Sequence, residues 1–110
     1  MRTLRYRKTY ASGDTVANDV AFDVKVQEHF TSTIIAHTTD ASHGKLHVFY
    51  VFEDEGGVEV EKQIGSDIVL SANTTVITNY DYKIPHMRIK YSKTSGTGSG
   101  TIRIDATTAN

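Results

Sequence analysis

Histidine is the side chain of this sequence best suited to bind a metal or to move a proton near neutral pH. Three of the five histidines, His37, His43 and His47, lie close together along the chain and could converge across a hairpin. A metal site needs closely spaced ligands on a rigid frame, such as two histidines one helical turn apart. The segment between His37 and His43 predicts a loop without such a frame. We therefore expect surface histidines, with neither a bound metal nor a cofactor.

Acidic side chains cluster in two places where acid–base catalysis could be considered. Residues 53–55 are all acidic and run directly into Gly56-Gly57, which predicts a solvated hairpin tip. Glu59 and Glu61 alternate with valines, which is typical of the wet face of a strand. Two catalytic carboxylates must instead face each other across a cleft and have divergent pKa values. We expect no catalytic residues in either cluster.

Two further segments could belong to an enzyme. Asp40, Ser42 and His43 are the residue types of a catalytic triad, but no nucleophile elbow or oxyanion-hole sequence accompanies them. The glycine-rich residues 96–100 precede neither a lysine nor a helical pattern, so a phosphate-binding loop is excluded. Residues 101–106 alternate like a strand, and the glycines therefore predict a hairpin loop between two antiparallel strands. We expect no enzymatic activity.

The elements that position these side chains are predicted to be strands. Alternation of apolar and polar residues dominates the chain, and no stretch has helical spacing. The abundance of threonine, with 15 in 110 residues, also favours strands. The sequence predicts an all-β fold, a single antiparallel β-sandwich that is jelly-roll-like, with eight or nine short strands. Residues 1–19 are predicted to be an N-terminal arm or edge strand, and residues 20–110 to be the sandwich domain.

The net charge of −1 hides an uneven distribution. Residues 1–8 and 83–110 each carry +4, whereas residues 9–82 carry −9. Basic ends around an acidic middle suit complementary pairing, within one molecule or between copies. A solvated surface with chance clustering is the alternative. The chain has no cysteine, so such contacts would be noncovalent.

One strand is apolar on both faces. Alternate side chains from residue 46 to residue 52 can fill a core, and they are Leu46, Val48, Tyr50 and Phe52. His47, Phe49 and Val51 then point the other way, where an antiparallel sandwich normally presents polar groups to water. We expect residues 1–19 or another subunit to cover them, unless the pair is simply exposed. The candidate interface residues are His47, Phe49, Val51, Arg5, Arg7, Arg88 and Lys90.

The basic residues of this set raise the possibility of nucleic-acid binding. Arg88, Lys90 and Arg103 alternate with apolar residues, as do Arg5 and Arg7. If these strands were neighbours, one sheet face would be basic, as a single-strand binder requires. The acidic middle of the chain would repel phosphates, so nucleic acid is not an expected partner. The sequence also lacks the apolar runs of a secretion signal or a membrane span, and we expect folding in a cytoplasm.

Several segments together resemble the small β-sandwich structural proteins of tailed-phage virions. They are the Gly44-led strand GKLHVFY, the Tyr80-Asp-Tyr82 segment, the strand PHMRIKYS from Pro85, the Gly/Ser/Thr run and the final TIRI strand. The resemblance extends over about residues 26–106. It implies a non-enzymatic virion component assembled in the host cytoplasm, often a jelly-roll that decorates or cements a capsid as a symmetric oligomer such as a trimer. Its implied partners are copies of itself, the major capsid protein and other virion proteins.

Two alternative functions follow from the same residues. A tail or baseplate module could bind host carbohydrate by stacking sugars on tyrosines, the candidates being Tyr6, Tyr10, Tyr80 and Tyr82. A single-stranded nucleic-acid-binding β-protein would use the basic strands. These alternatives make different demands on the surface, because the first needs exposed aromatic rings and the second a continuous basic face.

Overall fold

A computed structural model describes residues 3–11, 16–25, 31–39, 44–71, 73–93 and 101–109. In these ranges the chain forms nine strands and no helix. The strands are β1 (Thr3–Ala11), β2 (Val16–Lys25), β3 (Thr31–Thr38), β4 (Gly44–Glu53), β5 (Glu59–Gln63), β6 (Ile68–Leu70), β7 (Thr75–Tyr80), β8 (His86–Lys93) and β9 (Thr101–Ala109).

The strands form two antiparallel sheets. Sheet A has the order β1-β9-β3-β7, and sheet B has the order β2-β8-β4-β5, with β6 also paired to β4. The chain changes sheet at almost every connection, so neighbours in a sheet are rarely neighbours in sequence. This wrapping of a four-stranded and a five-stranded layer, in which β5 and β6 occupy one edge, is the jelly-roll arrangement. The predicted all-β, jelly-roll-like sandwich is confirmed.

The core lies between the sheets and follows from the alternation in the sequence. In β8 and β9 every second side chain is buried, because successive side chains of a strand point to opposite faces. The fully buried core side chains include Leu46, Val48, Met87, Ile89, Tyr91, Ile102 and Ile104. The outward side chains of the same strands remain partly or fully exposed, and they form the two outer faces of the sandwich.

A pair of tyrosines links the two sheets. The rings of Tyr10 in β1 and Tyr91 in β8 lie 4.5 Å apart between the sheets. The Tyr10 hydroxyl donates a hydrogen bond to Asp19 of β2, which joins sheet A to sheet B. Tyr91 also fills the space above Gly44, where an added Cβ would lie 2.6 Å from the ring atom Cε1. Glycine is therefore required at the start of β4.

One edge of sheet B is interrupted. β5 pairs with residues 49–53 of β4 and β6 pairs with residues 44–46, so the two form successive pieces of one edge. Between them the Ile64 amide donates to the Val48 carbonyl at 2.7 Å, and Gly65 adopts a φ of 71°. Only glycine adopts this backbone conformation readily. A broken edge is a poor template for unintended strand addition.

The predicted hairpin between the last two strands is wrong. β8 pairs with β2 and β4 in sheet B, whereas β9 pairs with β1 and β3 in sheet A. The glycine-rich run therefore connects the two sheets instead of closing a hairpin, and residues 94–100 lie outside the described ranges. The interpretation assumed that consecutive strands pair, which a jelly-roll does not require.

The N-terminal region belongs to both sheets. Residues 3–11 form β1, the edge strand of sheet A, and pair with β9. β2 runs from residue 16 to residue 25, with shifts of register against β8 between residues 16 and 19 and between residues 20 and 22. The boundary predicted between residues 19 and 20 falls within this strand. Neither strand crosses the outer face of sheet B, so residues 3–11 and 16–19 do not cover Phe49 or Val51 as expected.

Candidate interaction surfaces

The histidines that could have formed a metal site are separated by the sandwich. His37 lies on the outer face of sheet A, with Nδ1 2.6 Å from the Thr75 hydroxyl. His47 lies on the outer face of sheet B, with Nδ1 2.8 Å from Asp67 Oδ1. His43 is outside the described ranges. Within those ranges, no three His, Asp or Glu side chains are arranged to hold a metal ion.

Arg88 is the hub of an ion-pair network on the outer face of sheet B. Its guanidinium lies 2.6 Å from Glu59, 2.7 Å from Glu61 and 3.3 Å from Asp23. Asp23 also lies 2.5 Å from His86 Nε2. The network thus links β2, β8 and β5 across the full width of the sheet. The Arg88 side chain is only 12% exposed, which makes its contacts stronger than those of an isolated surface pair.

The network covers the outward apolar side chains of β4. Lys90 Nζ lies 5.0 Å from the centre of the Phe49 ring and 2.7 Å from Glu61. Arg88 is the register partner of Phe49 on one side, and Glu61 is the partner of Val51 on the other. Val51 is 3% exposed although it lies outside the core between the sheets. The chain's own charged side chains, laid along the sheet, therefore cover Val51 and part of Phe49.

Hydrogen bonds hold the acids of this network in their charged form. A hydrogen bond from Arg88 lowers the pKa of Glu59, and one from Lys90 lowers the pKa of Glu61. Burial raises the pKa of Asp23, but hydrogen bonds from His86 and Arg88 outweigh it and the net change is a lowered pKa. The outer face of sheet B is consequently a fixed layer of paired charges at neutral pH.

A second polar cluster sits at the break between β5 and β6. Asp67 accepts a hydrogen bond from Gln63 at 2.7 Å and contacts His47 at 2.8 Å. The hydrogen bonds from Gln63 and then from His47 lower the pKa of Asp67. These contacts fix the side chain of His47 and connect the end of β5 to Asp67, the residue before β6.

The outer face of sheet A has a different character. Arg7 donates to both carboxylate oxygens of Asp105, at 2.7 and 3.3 Å, and Arg103 lies 3.6 Å from the same group. Beside this pair is a shallow depression of about 540 Å³, lined by Arg5, Tyr6, Arg7, Ile35, Asp105 and Thr107. Arg5 is exposed at its rim and Ile35 is half-buried in it. Basic and apolar groups thus meet on this face.

The seven predicted interface residues divide between these two faces. His47, Phe49, Val51, Arg88 and Lys90 lie on the outer face of sheet B, and Arg5 and Arg7 lie on sheet A. The continuous basic face required by the nucleic-acid hypothesis is not formed by the described strands, because Arg88 and Lys90 are on the opposite side of the sandwich from Arg5, Arg7 and Arg103. That hypothesis assumed neighbouring strands, and the strands are in different sheets.

The tyrosines proposed to stack on sugars are mostly interior. Tyr10 and Tyr80 are buried, and Tyr6 is partly buried with its ring 6.2 Å from that of Phe22. Of the four, Tyr82 alone is well exposed, at 49%. The described residues therefore provide no platform of several exposed rings from this set.

Six large apolar side chains of the described residues are exposed. They are Val20, Phe52, Val58, Val69, Ile77 and Tyr82. The prediction that Phe52 fills the core is wrong, because its side chain lies near the end of β4 and is 43% exposed. Ile77 is 61% exposed and lies next to Ile35 in register, on the outer face of sheet A. The alternation of β7 could have indicated this position, since Val76 and Thr78 point inward and Ile77 must point outward.

The β4–β5 hairpin presents an ordered acidic tip. The Asp54 carboxylate accepts hydrogen bonds from the amides of Gly56 and Val58, both at 2.9 Å, and the Asp54 amide donates to the Val58 carbonyl at 2.9 Å. Glu53, Glu55 and Glu59 surround this turn and are exposed, and Val58 is 61% exposed. The predicted solvated hairpin tip is confirmed.

No family model and no curated protein matches this chain at the sequence level. The fold defines a jelly-roll β-sandwich, and solved structures share it. PirA is similar with 13% identity and a TM-score of 0.55, over 91% of this chain and 90% of the other. A chain from Bacillus endospore appendages, a family of disulfide-linked pili, has 7% identity and a TM-score of 0.56, over 98% and 87%. A chain of infectious bursal disease virus, Gx strain, has 14% identity and a TM-score of 0.50, over 96% of this chain and 31% of its own.

These similarities concern the fold. A viral protein and a pilus protein share the two-layered sandwich with this chain, at identities too low to carry residue roles across. None of the described segments is a helix of the length and apolar character needed to cross a bilayer.

Proposed function

We propose that this protein is a non-enzymatic structural component of a phage virion, a capsid decoration or cement protein. It binds copies of itself, as a symmetric oligomer such as a trimer, and it binds the major capsid protein. The proposal places the protein in the virion after assembly in the host cytoplasm. The observation that carries it is the outer face of sheet B, where paired charges fix the side chains above Phe49 and Val51.

A fixed face of this kind suits binding to a large, flat partner. Side chains that are already immobilised by Arg88 and Lys90 lose little further entropy when a partner docks. The partly exposed Phe49 ring supplies apolar contact at the centre of the charged rim, which is the usual composition of a protein interface. Val51 lies two residues further along the same strand and is buried.

The structural neighbours support an assembling role. One comes from a virus and another from pili, and both share the sandwich with this chain. The pili are described as disulfide-linked, whereas this chain has no cysteine. Its assembly therefore depends on noncovalent surfaces, which the segregated charges and exposed apolar side chains supply.

The proposal is tested first on particles. We expect the purified protein to co-sediment with capsids that lack it, and mass spectrometry of separated heads and tails to find it in the head fraction. A protein that stays in the supernatant and is absent from both fractions would refute the virion role. Recovery in tails only would move it to a tail or baseplate position.

A charge placed on the proposed capsid face tests that surface. We expect Phe49→Asp to abolish co-sedimentation, because it removes the apolar ring and places a new carboxylate beside Arg88 and Lys90, which disturbs the charge pairs of this face. Thr9→Asp, on the outer face of sheet A, is the matched control and should bind normally. Circular dichroism must show both variants folded, and Phe49→Leu keeps the test valid if the aspartate unfolds the protein. Normal binding by a folded Phe49→Asp would exclude this face.

A further inference from the structure

The depression on the outer face of sheet A contains one arginine, Arg5, that forms no ion pair with any of the described residues. Arg7 is engaged by Asp105 through both carboxylate oxygens. Arg5 lies at the rim and is exposed. Ile35 and the neighbouring, 61% exposed Ile77 extend an apolar strip from the depression across the sheet. The depression therefore suits a ligand that is acidic and carries an aliphatic side chain.

The acidic tip of the β4–β5 hairpin has that composition. Glu53 and Glu55 lie near the exposed Val58, whereas Glu59 is engaged by Arg88 and the Asp54 carboxylate by two backbone amides. These hydrogen bonds hold the turn in one conformation, so docking would cost little conformational entropy. β5 is exposed along most of its length and pairs with β4, so the hairpin stands clear of the core. The tip is a preorganised acidic ligand with an apolar side chain at its end.

The tip cannot reach the depression of its own molecule. The hairpin belongs to sheet B, and the depression faces outward from sheet A, on the opposite side of the core. Facing sheets of a sandwich lie about 10 Å apart, and the tip has no path around them while β5 stays paired to β4. A contact between these two surfaces therefore requires two molecules.

We propose that the acidic tip of one copy docks into the basic depression on sheet A of a second copy. This inference rests on the proposed self-association and specifies which surfaces form it. The two surfaces are different, so the contact is heterologous and each bound copy still offers a free tip or a free depression. Such contacts close into a ring when the rotation between copies permits and otherwise extend into a filament. A closed ring of three copies would be the trimer named in the proposed function.

Charge reversal with restoration tests the contact. Sedimentation velocity at low ionic strength should show self-association of the wild type that weakens as salt is added. Arg5→Glu and Glu55→Arg should each weaken association by at least about tenfold, because each places like charges opposite each other. The double variant Arg5→Glu/Glu55→Arg should associate again, since every reversed tip then fits a reversed depression. Lys25→Glu, an exposed change on the other sheet, is the control and should associate like the wild type.

Disulfide trapping locates the contact directly, because the chain has no cysteine of its own. Under oxidising conditions a mixture of Glu55→Cys and Thr107→Cys should give a mixed covalent dimer. A mixture of Glu55→Cys and Lys25→Cys should give none above background. Wild-type association that is unaffected by both charge reversals would overturn this contact and leave the proposed function standing. A wild type that stays monomeric at every concentration and never binds particles would overturn both.

Discussion

The ammonium group of Lys90 lies 5.0 Å from the centre of the Phe49 ring, on the outer face of sheet B. A cation over an aromatic face is attracted by the ring's quadrupole, and the same ammonium is held 2.7 Å from Glu61. An aromatic side chain that the alternation directs toward water is thus partly covered by its own sheet. The sequence led us to expect cover from residues 1–19 or from another subunit, and cross-strand neighbours supply part of it.

Removal of the Arg88 guanidinium should destabilise the sandwich. Arg88→Met leaves Asp23, Glu59 and Glu61 without their shared cation, and we expect a loss of about 1–2 kcal/mol in the free energy of unfolding. Arg88→Lys should recover part of this, because one ammonium cannot serve three carboxylates with the geometry of a guanidinium. Urea denaturation provides the measurement. Arg103→Met is the control, since Arg103 is 46% exposed and 3.6 Å from Asp105. Equal losses of stability in Arg88→Met and Arg103→Met would contradict the role of Arg88 as the centre of the network.

Acid should weaken the same network. The pKa values of Asp23, Glu59 and Glu61 are lowered in the folded protein, so their stabilising contribution is present above the unfolded values of 3.8 and 4.5. It is lost as the pH falls through the lower folded values, because protonation then favours the unfolded chain. We expect thermal stability to decline below about pH 4.5 and the decline to be shallower in Glu61→Gln. Identical profiles for Glu61→Gln and the wild type would contradict this account.

A methyl group at position 44 should not be accommodated. An added Cβ would lie 2.6 Å from Tyr91 Cε1 and 2.8 Å from its hydroxyl oxygen, and the Tyr91 side chain is fully buried. We expect Gly44→Ala to cost about 1–3 kcal/mol, as overpacking of a core does. Gly56→Ala is the matched control, because its nearest contact would be an ordinary 3.5 Å from Asp54. The midpoints of thermal unfolding should separate the two variants, and their coincidence would mean that Tyr91 moves freely.

The hydroxyl of Tyr10 should contribute to stability as the tie between the sheets. Tyr10→Phe removes its hydrogen bond to Asp19, and we expect a loss of about 1–2 kcal/mol. Burial and then the hydrogen bond to Asp19 raise the pKa of Tyr10 above its ordinary value of 10.0, so the wild type also loses stability as the pH rises above 10.0. Tyr82→Phe, at an exposed ring, should behave like the wild type in chemical denaturation. Equal stability of Tyr10→Phe and Tyr82→Phe would show that the hydrogen bond from Tyr10 to Asp19 does not stabilise the sandwich.

The sequence was sufficient to predict which side chains of a strand share a face. The alternation of β4 correctly separated Leu46 and Val48 from His47 and Phe49, because a strand's side-chain period of two is fixed by backbone geometry. The all-β sandwich followed from many such strands. These inferences are local and need no knowledge of which strands are neighbours.

The pairing of strands could not be predicted in the same way. Arg88 and Glu59 are both recognisable as outward residues, but their contact depends on the order β8-β4-β5 and on side chains that reach across β4. The error over β8 and β9 has the same origin, since strands adjacent in sequence lie in different sheets. Sheet membership is decided by nonlocal packing, which a local pattern does not encode.

The connection between β5 and β6 is a position at which sheet B can accept an inserted peptide. Each piece of this edge is aligned with β4 through its own hydrogen bonds, residues 59–63 against 49–53 and residues 68–70 against 44–46. Residues inserted between Gly65 and Ser66 would lengthen the connection without shifting either alignment, and the entropy of loop closure grows only slowly with length. Each copy of the protein could therefore carry an added epitope at that point.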